Sequence, residues 1–440
     1  MAKRHRRLRW CLLLFSLLVS WGVWRWATEL LAPANTSQAI ARGRPLGNSS
    51  DLYPRWLGAR EALLHHRDPY GPELTREIQT GFYGRPLDPQ RRTDPKDEEA
   101  FAYPLYVVFL LAPAVLFPFS VVMKLSGWVL LLCTALSVPL WMRGIGMRAS
   151  RSVVLATVAL VLGTYPVVMG FYQQQLTLLV GFLLAAAVAA AVRGWLAASG
   201  VLLALATIKP QIAGVLIFWL LFWAIAEWKK RKALFWGFAA TTAGLMIAAE
   251  LLQPGWISEF AAAVQAYRHY AADRPILQVL LTLPGGKIAT TVLLGAFLFA
   301  CWRWRKTPAG SPEFGGAIAL AASITLVILN KVAAYNHVLL IPVVLWLVCR
   351  SRQGRMLWFG ARASIKAVFA CLGWQWVSAL LLAGWSLVAP VTRLGLIRLP
   401  FYTLFALPPV VLLAVLAAVF VRPEKWTAPA TPTIPAEPHG

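Results

Sequence analysis

A chain of 440 residues that is 59% hydrophobic and 14% charged, with a mean hydropathy of +0.62, is too oily for a soluble globular protein. Its net charge of +24 comes from 42 Lys and Arg against 18 acids, and the cations sit in short stretches between apolar runs rather than along one soluble face, which argues against a nucleic-acid binder. The five cysteines lie in or at the ends of apolar runs with no CxxC spacing, so neither disulfides nor structural zinc is expected.

Basic residues at positions 3–9 precede an apolar run from Trp10 to Leu31 that is dense in tryptophan (Trp21, Trp24, Trp26). The length and the interfacial aromatics favour an uncleaved first helix running from the cytoplasm outward. A cleaved signal peptide is the competing reading, because Ala32-Pro33-Ala34 resembles a small-residue cleavage site. Residues 32–103 are then a first outer loop. They hold 10 of the 18 acids together with 10 Lys and Arg, so the remaining chain carries 32 cations against 8 acids. Within that loop Ser49-Ser50-Asp51, followed by Leu52, Trp56 and Leu63, predicts a capped amphipathic helix with Pro54 in its first turn. Residues 71–99, rich in Gly, Pro and mixed charge, read as irregular and mobile.

Apolar segments follow near 104–119, 124–142, 152–170, 175–192, 196–208, 211–226, 233–252, 286–301, 315–331, 337–349, 364–389 and 398–421. A membrane helix needs about 20 residues, and lipid offers no partner for unpaired backbone, so the expected fold is an all-α polytopic membrane protein. Thirteen segments cannot both start and finish inside, so about 12 transmembrane helices are expected. With 104–119 a re-entrant or half-crossing piece, the preferred arrangement, Arg143, Arg148 and Arg151 stay cytoplasmic and Lys209 lies outside with Asp51; with 196–226 as one long helix instead, the three arginines are exported and Lys209 is buried mid-membrane. Residues 1–421 form one membrane-embedded domain, 253–285 a second outer loop, and 422–440 a disordered cytoplasmic tail. The expected location is the plasma (inner) membrane, multi-pass, with both termini cytoplasmic and the site on the outer face.

An acid-bearing outer loop on such a protein suggests an enzyme acting at the membrane surface on a lipid-linked substrate. Sugar transfer there needs one base for the acceptor hydroxyl and cations for the departing phosphate. Asp51 is the candidate base; helix capping by Asp51 or its neighbouring serine is the plainer alternative. Lys209, interrupting an apolar run, is a candidate phosphate ligand unless it merely snorkels to the headgroups. His337, Arg268 and Arg274 are further phosphate-binding candidates. Gln173, Gln175 and Asn336 are candidates to hydrogen-bond a sugar or acceptor, and Trp56 and Tyr103 to stack on one, although an aromatic belt would also use them. No GxGxxG, Walker, HExxH or GxSxG motif occurs, which removes support for nucleotide cradles and common hydrolase sites.

In order along the chain these pieces resemble family 87 glycosyltransferases, polyprenyl-phosphate-sugar-dependent membrane enzymes of the GT-C fold whose best-known members are α-1,2-mannosyltransferases. Asp51, Trp56, Ala62-Leu-Leu64 and Asp68-Pro-Tyr70 look like the first outer-loop signature of that family. Phe101-Ala-Tyr-Pro104 resembles its Tyr-Pro-Pro segment, Gln175-Leu-Thr-Leu-Leu179 its Gly-Gln-x-Asn-Leu block, and Gly200 to Lys209-Pro210 its Lys-Pro block. Tyr335-Asn-His337 falls where an outer-loop histidine is usual. Departures are Trp56 for a tyrosine, Leu105 for the second proline, and Gln174 and Thr177 for the glycine and asparagine. The resemblance implies Asp51 as base, and inverting transfer of a sugar, mannose by preference, from a polyprenyl-phosphate donor to a lipid or glycan acceptor. It implies no nucleotide sugar and no cofactor; no metal is expected, since one acid alone is clearly assigned to the site. Membrane lipid, the donor and a glycan or glycolipid acceptor are the expected partners, and nucleic acid is not. The alternatives are a GT-C enzyme using arabinofuranose or glucose, and a lipid-linked-sugar transporter or flippase.

Overall fold

Helix α1 (Ala2–Arg25) passes without a break through a π-helical turn (Trp26–Leu31) into α2 (Ala32–Ala41), so that Trp10–Ala41 is one apolar rod. This computed structural model describes residues 2–41, 47–48, 50–270, 274–329, 333–351 and 359–419; the expected tail at 422–440 lies outside the described residues. Beyond α2 come α3 (Tyr53–His65), α4 (Pro72–Tyr83), α5 (Val107–Leu111), α6 (Phe119–Gly144), α7 (Arg151–Leu162), α8 (Tyr165–Tyr172), α9 (Thr177–Val192), α10 (Leu196–Ala206), α11 (Pro210–Ala226) and α12 (Trp228–Leu252). The second half adds α13 (Trp256–Tyr270), α14 (Ile276–Leu280), α15 (Thr282–Trp304), α16 (Pro312–Ile328), α17 (Leu340–Ser351), α18 (Phe359–Trp385), α19 (Leu394–Ile397) and α20 (Leu407–Val419). There is no strand among the described residues. Six helical stretches are long and apolar enough to cross a membrane, or seven if the bent pair α7 and α8 counts as one; α9, α10, α11, α16 and α20 are apolar but shorter. Side chains such as Trp128, Leu132, Phe299 and Leu381 are exposed on the outside of the helices, as a lipid solvent requires.

Hydrogen bonds sort the helix ends into two groups. At one end Asp51 N–H donates to the Gln173 carbonyl, Tyr106 OH to the Thr207 carbonyl and Gln253 Nε2 to Asp68 Oδ1. At the other, the Arg231 guanidinium binds the carbonyls of Trp223, Arg305 and Thr307, Trp346 Nε1 binds that of Pro312, and Arg350 that of Ala418. The acid-rich loop belongs to the first end, and the basic runs at 229–232 and 303–306 to the second. These basic runs thus lie at the end opposite the acid-rich loop, whose own cations and acids balance, the kind of asymmetry that orients membrane proteins.

The break between α7 and α8 bends the chain by 59°. Gly163 ends α7, and Pro166 sits in the first turn of α8. The backbone groups freed by such a break need partners inside a bundle. Gln375 Oε1 accepts from Tyr165 N–H at 2.9 Å, Trp376 Nε1 donates to the Gly163 carbonyl at 3.0 Å, and Trp24 Nε1 to that of Leu162 at 3.1 Å. Replacing Gln375 by Leu strands a buried N–H; we expect a loss of about 1–3 kcal/mol, read as a lowered thermal midpoint in detergent.

Two expectations change against the structure, and two segments gain detail. Segment 104–119, expected as a re-entrant or half-crossing piece, contains a five-residue helix and one 3-10 turn (Ala112–Ala114), about 12 Å of helix, too short for a full span. Prolines 104, 113 and 118 interrupt it, and α5 packs on α3. Residues 72–83, expected to be irregular, are helical: Pro72 opens α4, Gly84 closes it at φ 86°, and Leu74, Ile78 and Phe82 form a buried stripe. The Gly and Pro residues read as loop punctuation were helix caps. The second outer loop is largely helix too, with α13, α14 and the start of α15 inside 253–285. Finally, α3 starts at Tyr53 with Leu52 as its cap and no side-chain cap bond, so Asp51 does not cap it.

Candidate active site

Four connections between helices and one 3-10 turn meet at the acid-bearing end. Asp51 arrives from the turn before α3, where its N–H donates to the Gln173 carbonyl at 3.0 Å and its own carbonyl accepts from Arg55 at 2.6 Å. The backbone is therefore held on both sides, and the carboxylate points inward: Oδ2 accepts from Gln175 Nε2. Gln175 Oε1 in turn accepts from Lys209 Nζ at 2.6 Å, and the same ammonium donates to Thr177 Oγ1 at 2.7 Å. The amide orientation follows from chemistry, since a carboxylate accepts and an ammonium donates. One glutamine side chain thus separates a carboxylate from a cation.

Lys209 is buried, at 6% exposure, in the three-residue connection between α10 and α11. It does not reach for headgroups. Its charge is met by the amide, the hydroxyl and two aromatic faces, with Tyr335 centred 5.2 Å and Tyr103 5.9 Å from Nζ. Such a cation is costly in a membrane protein unless it serves a ligand. Asn336 Oδ1 lies 3.4 Å from Thr177 Oγ1 and joins the 3-10 turn Ala334–Leu339 to the group. His337 follows it, buried at 4% exposure, and its Nδ1 has no partner among the described residues.

Arg55 completes the arrangement. Its guanidinium stacks on Tyr103 at 4.6 Å and lies 3.8 Å from Glu99. Burial works against that charge, but Tyr103, Glu99 and Asp51 outweigh it and hold the guanidinium's pKa above its ordinary value. The Tyr103 ring thus meets two cations, Arg55 and Lys209, and Tyr70 OH donates to its carbonyl at 2.7 Å.

Of the residues singled out in the sequence, the structure brings Asp51, Tyr103, Gln175, Lys209 and Asn336 together, with Gln173 contributing its backbone. Arg268 and Arg274 are exposed, and neither joins the group among the described contacts. Trp56 does not offer a free face: it is buried, its indole N–H donates to the Ala114 carbonyl, and its ring packs on Tyr53 and Phe119. Arg55, Thr177 and Tyr335 were not among the sequence candidates; for Arg55 the available signal was its place four residues after Asp51, one helical turn away.

Gln174 turns the chain between α8 and α9 with φ +46°, in the left-handed region that a glycine enters without cost. Its side-chain carbonyl is buried without a partner among the described residues, while its amide donates to the Phe171 carbonyl at 2.6 Å. Gln174→Gly is expected to retain activity and raise the thermal midpoint, relieving about 1 kcal/mol of backbone strain.

A sequence model of glycosyltransferase family 87 matches residues 101–329, just over half of the chain. No curated protein and no solved structure matches. The matched region contains Tyr103, Gln175, Thr177 and Lys209 and leaves Asp51 and the Tyr335–His337 turn outside it. Since that region forms much of the helical body and carries the buried lysine with its ligands, the chain belongs to glycosyltransferase family 87 and is a membrane glycosyltransferase.

Proposed function

We propose that this enzyme moves a sugar, mannose by preference, from a polyprenyl-phosphate donor to a hydroxyl of a lipid or glycan acceptor, at the outer face of the plasma (inner) membrane and with inversion at the anomeric carbon. The observation that carries the reading is the Asp51–Gln175–Lys209 chain: a proton acceptor and a buried cation one amide apart, at the end of the bundle away from the basic loops. In a single displacement the two groups act on opposite sides of the reacting carbon. Asp51 takes the acceptor proton as the new glycosidic bond forms, and Lys209 meets the charge that grows on the departing prenyl phosphate. Its hydroxyl and amide partners are neutral, so its charge remains available to a phosphate. Arg55 fixes the Asp51 backbone. His337, with an unpartnered buried nitrogen nearby in the chain, is suited to donate to the same phosphate. No group in this scheme requires a metal, and Tyr103 offers the aromatic wall for the sugar. Arg268 and Arg274, exposed on and after α13, would act on the donor only through its part outside this cluster. About twelve membrane crossings, with both termini cytoplasmic, fit the long, bent and short apolar helices together.

Membranes carrying the enzyme, incubated with radiolabelled polyprenyl-phosphate mannose, arabinofuranose and glucose in turn, test the reading. Mannosyl transfer to a lipid or glycan that depends on Asp51 supports it. Transfer of another of these sugars alone would change the donor, and passage of the labelled lipid across the membrane without a new glycoside would replace transfer by transport.

A further inference from the structure

At the end opposite Asp51, between the last turns of α6, the loop after it and the first turn of α7, lies a cavity of about 570 Å³. Its lining is mixed: Pro139, Met142, Met147 and Val154 supply apolar surface, and Arg143 and Arg148 stand beside them. Neither arginine is paired with an acid or hydrogen-bonded by its side chain among the described residues, and both are exposed. The loop that carries Arg148 is fixed. Gly146 turns at φ +73°, and a side chain there would strike the Gly310 carbonyl at 2.6 Å, while Met147 N–H donates to the Met142 carbonyl at 2.8 Å. Toward the middle of the bundle the outward faces of the same two helices continue as exposed Leu132, Leu136 and Leu155. From Arg143 to Leu132 is about 16 Å along the helix, close to the length of an acyl chain.

Two unpaired guanidiniums lining an open, partly apolar cavity, with an apolar track leading away along membrane helices, are complementary to one molecule type. We propose that this cavity binds an anionic phospholipid, its phosphate between Arg143 and Arg148 and its acyl chains along Leu132, Leu136 and Leu155. Arginine supplies planar, multiply donating recognition of phosphate oxygens, and the cavity supplies the room for a headgroup and the glycerol beneath it. The ligand is separate from the donor and acceptor, since it sits at the other end of the bundle. By occupying the gap between α6 and α7 it would fasten the bent α7–α8 pair, whose far end presents Gln173 and Gln175.

The test uses the full-length protein in detergent, titrated with phosphatidylglycerol and with phosphatidylcholine of the same acyl chains and followed by native mass spectrometry. Wild type is expected to hold one phosphatidylglycerol about 25-fold more tightly than phosphatidylcholine, about fivefold for each arginine. Arg143→Gln with Arg148→Gln is expected to erase that preference. Val154→Trp, which fills the cavity and keeps both charges, is expected to erase it as well, and helical circular dichroism with a monodisperse size-exclusion peak verifies that the variants fold. Equal binding of the two lipids by wild type would overturn the proposal. So would retention of the preference by either variant. Displacement of the lipid by millimolar inorganic phosphate would reassign the cavity to a free anion and overturn it too.

Discussion

Asp51→Asn lowers the rate of sugar transfer by about 10²–10⁴-fold, the range expected when a positioned general base is removed. The substitution keeps size and shape. The backbone bonds to Gln173 and Arg55 do not involve the side chain, so the turn before α3 stays where it is. An amide oxygen still accepts from Gln175, yet it takes no proton from an alcohol. The measurement is initial-rate transfer from the polyprenyl-phosphate donor at saturating acceptor, with donor binding measured alongside. A variant that binds donor and transfers at the wild-type rate removes Asp51 as the base. Weak donor binding with an unchanged rate at saturation would instead make Asp51 a binding group.

Lys209→Met is expected to cost nearly as much, about 10²–10³-fold in kcat/KM, the loss typical of deleting one group that meets developing charge. Methionine fills the volume between Tyr103 and Tyr335 and suits a buried, apolar surrounding, so the fold should survive. Gln175 loses its ammonium partner and Thr177 its donor, but each is left with other polar neighbours, the Asp51 carboxylate and the Asn336 amide. Lys209→Arg is not expected to restore activity. Three donors on a compact ammonium reach an amide and a hydroxyl 2.6 and 2.7 Å away, and a planar fork is too wide for that recess. Steady-state kinetics with donor varied separate the outcomes. Equal falls in kcat and kcat/KM indicate a group acting in the transition state, whereas a raised KM alone indicates plain binding. Activity within a factor of three of wild type in Lys209→Met would show that the cation is structural.

Asp51, Gln175 and Lys209 were legible in the sequence because each breaks a local rule: an acid between apolar runs, a polar run between two membrane segments, a lysine where a helix should continue. Their connection was not. Asp51 and Gln175 are 124 residues apart, and no periodicity records a contact made by helix ends folding onto one another. Arg55 was hidden for a related reason. Its guanidinium is recruited by Tyr103 and Glu99, residues of another connection, and in isolation it reads as a solvated loop charge. Trp56 is the opposite case: an aromatic beside a base suggests a sugar platform, whereas its indole N–H donates to the Ala114 carbonyl and its ring packs on Phe119. Helix α4 was missed because Gly71, Pro72 and Gly84 serve equally well as turn residues and as caps, and only the buried stripe between them decides. The apolar segments set the helical class correctly. Their ends drifted by several residues because the first turn Trp228–Lys232 is charged and Thr282–Gly286 is rich in Pro and Gly, so neither registers as membrane helix.

The amide of Gln175 is a single side chain shared between two ionic groups, and it cannot serve a substrate while it serves both. Held in this way, the carboxylate is engaged by the amide. A phosphate that drew the ammonium toward itself would loosen the amide and free the carboxylate, so the two ionic groups would answer to one another through a single side chain.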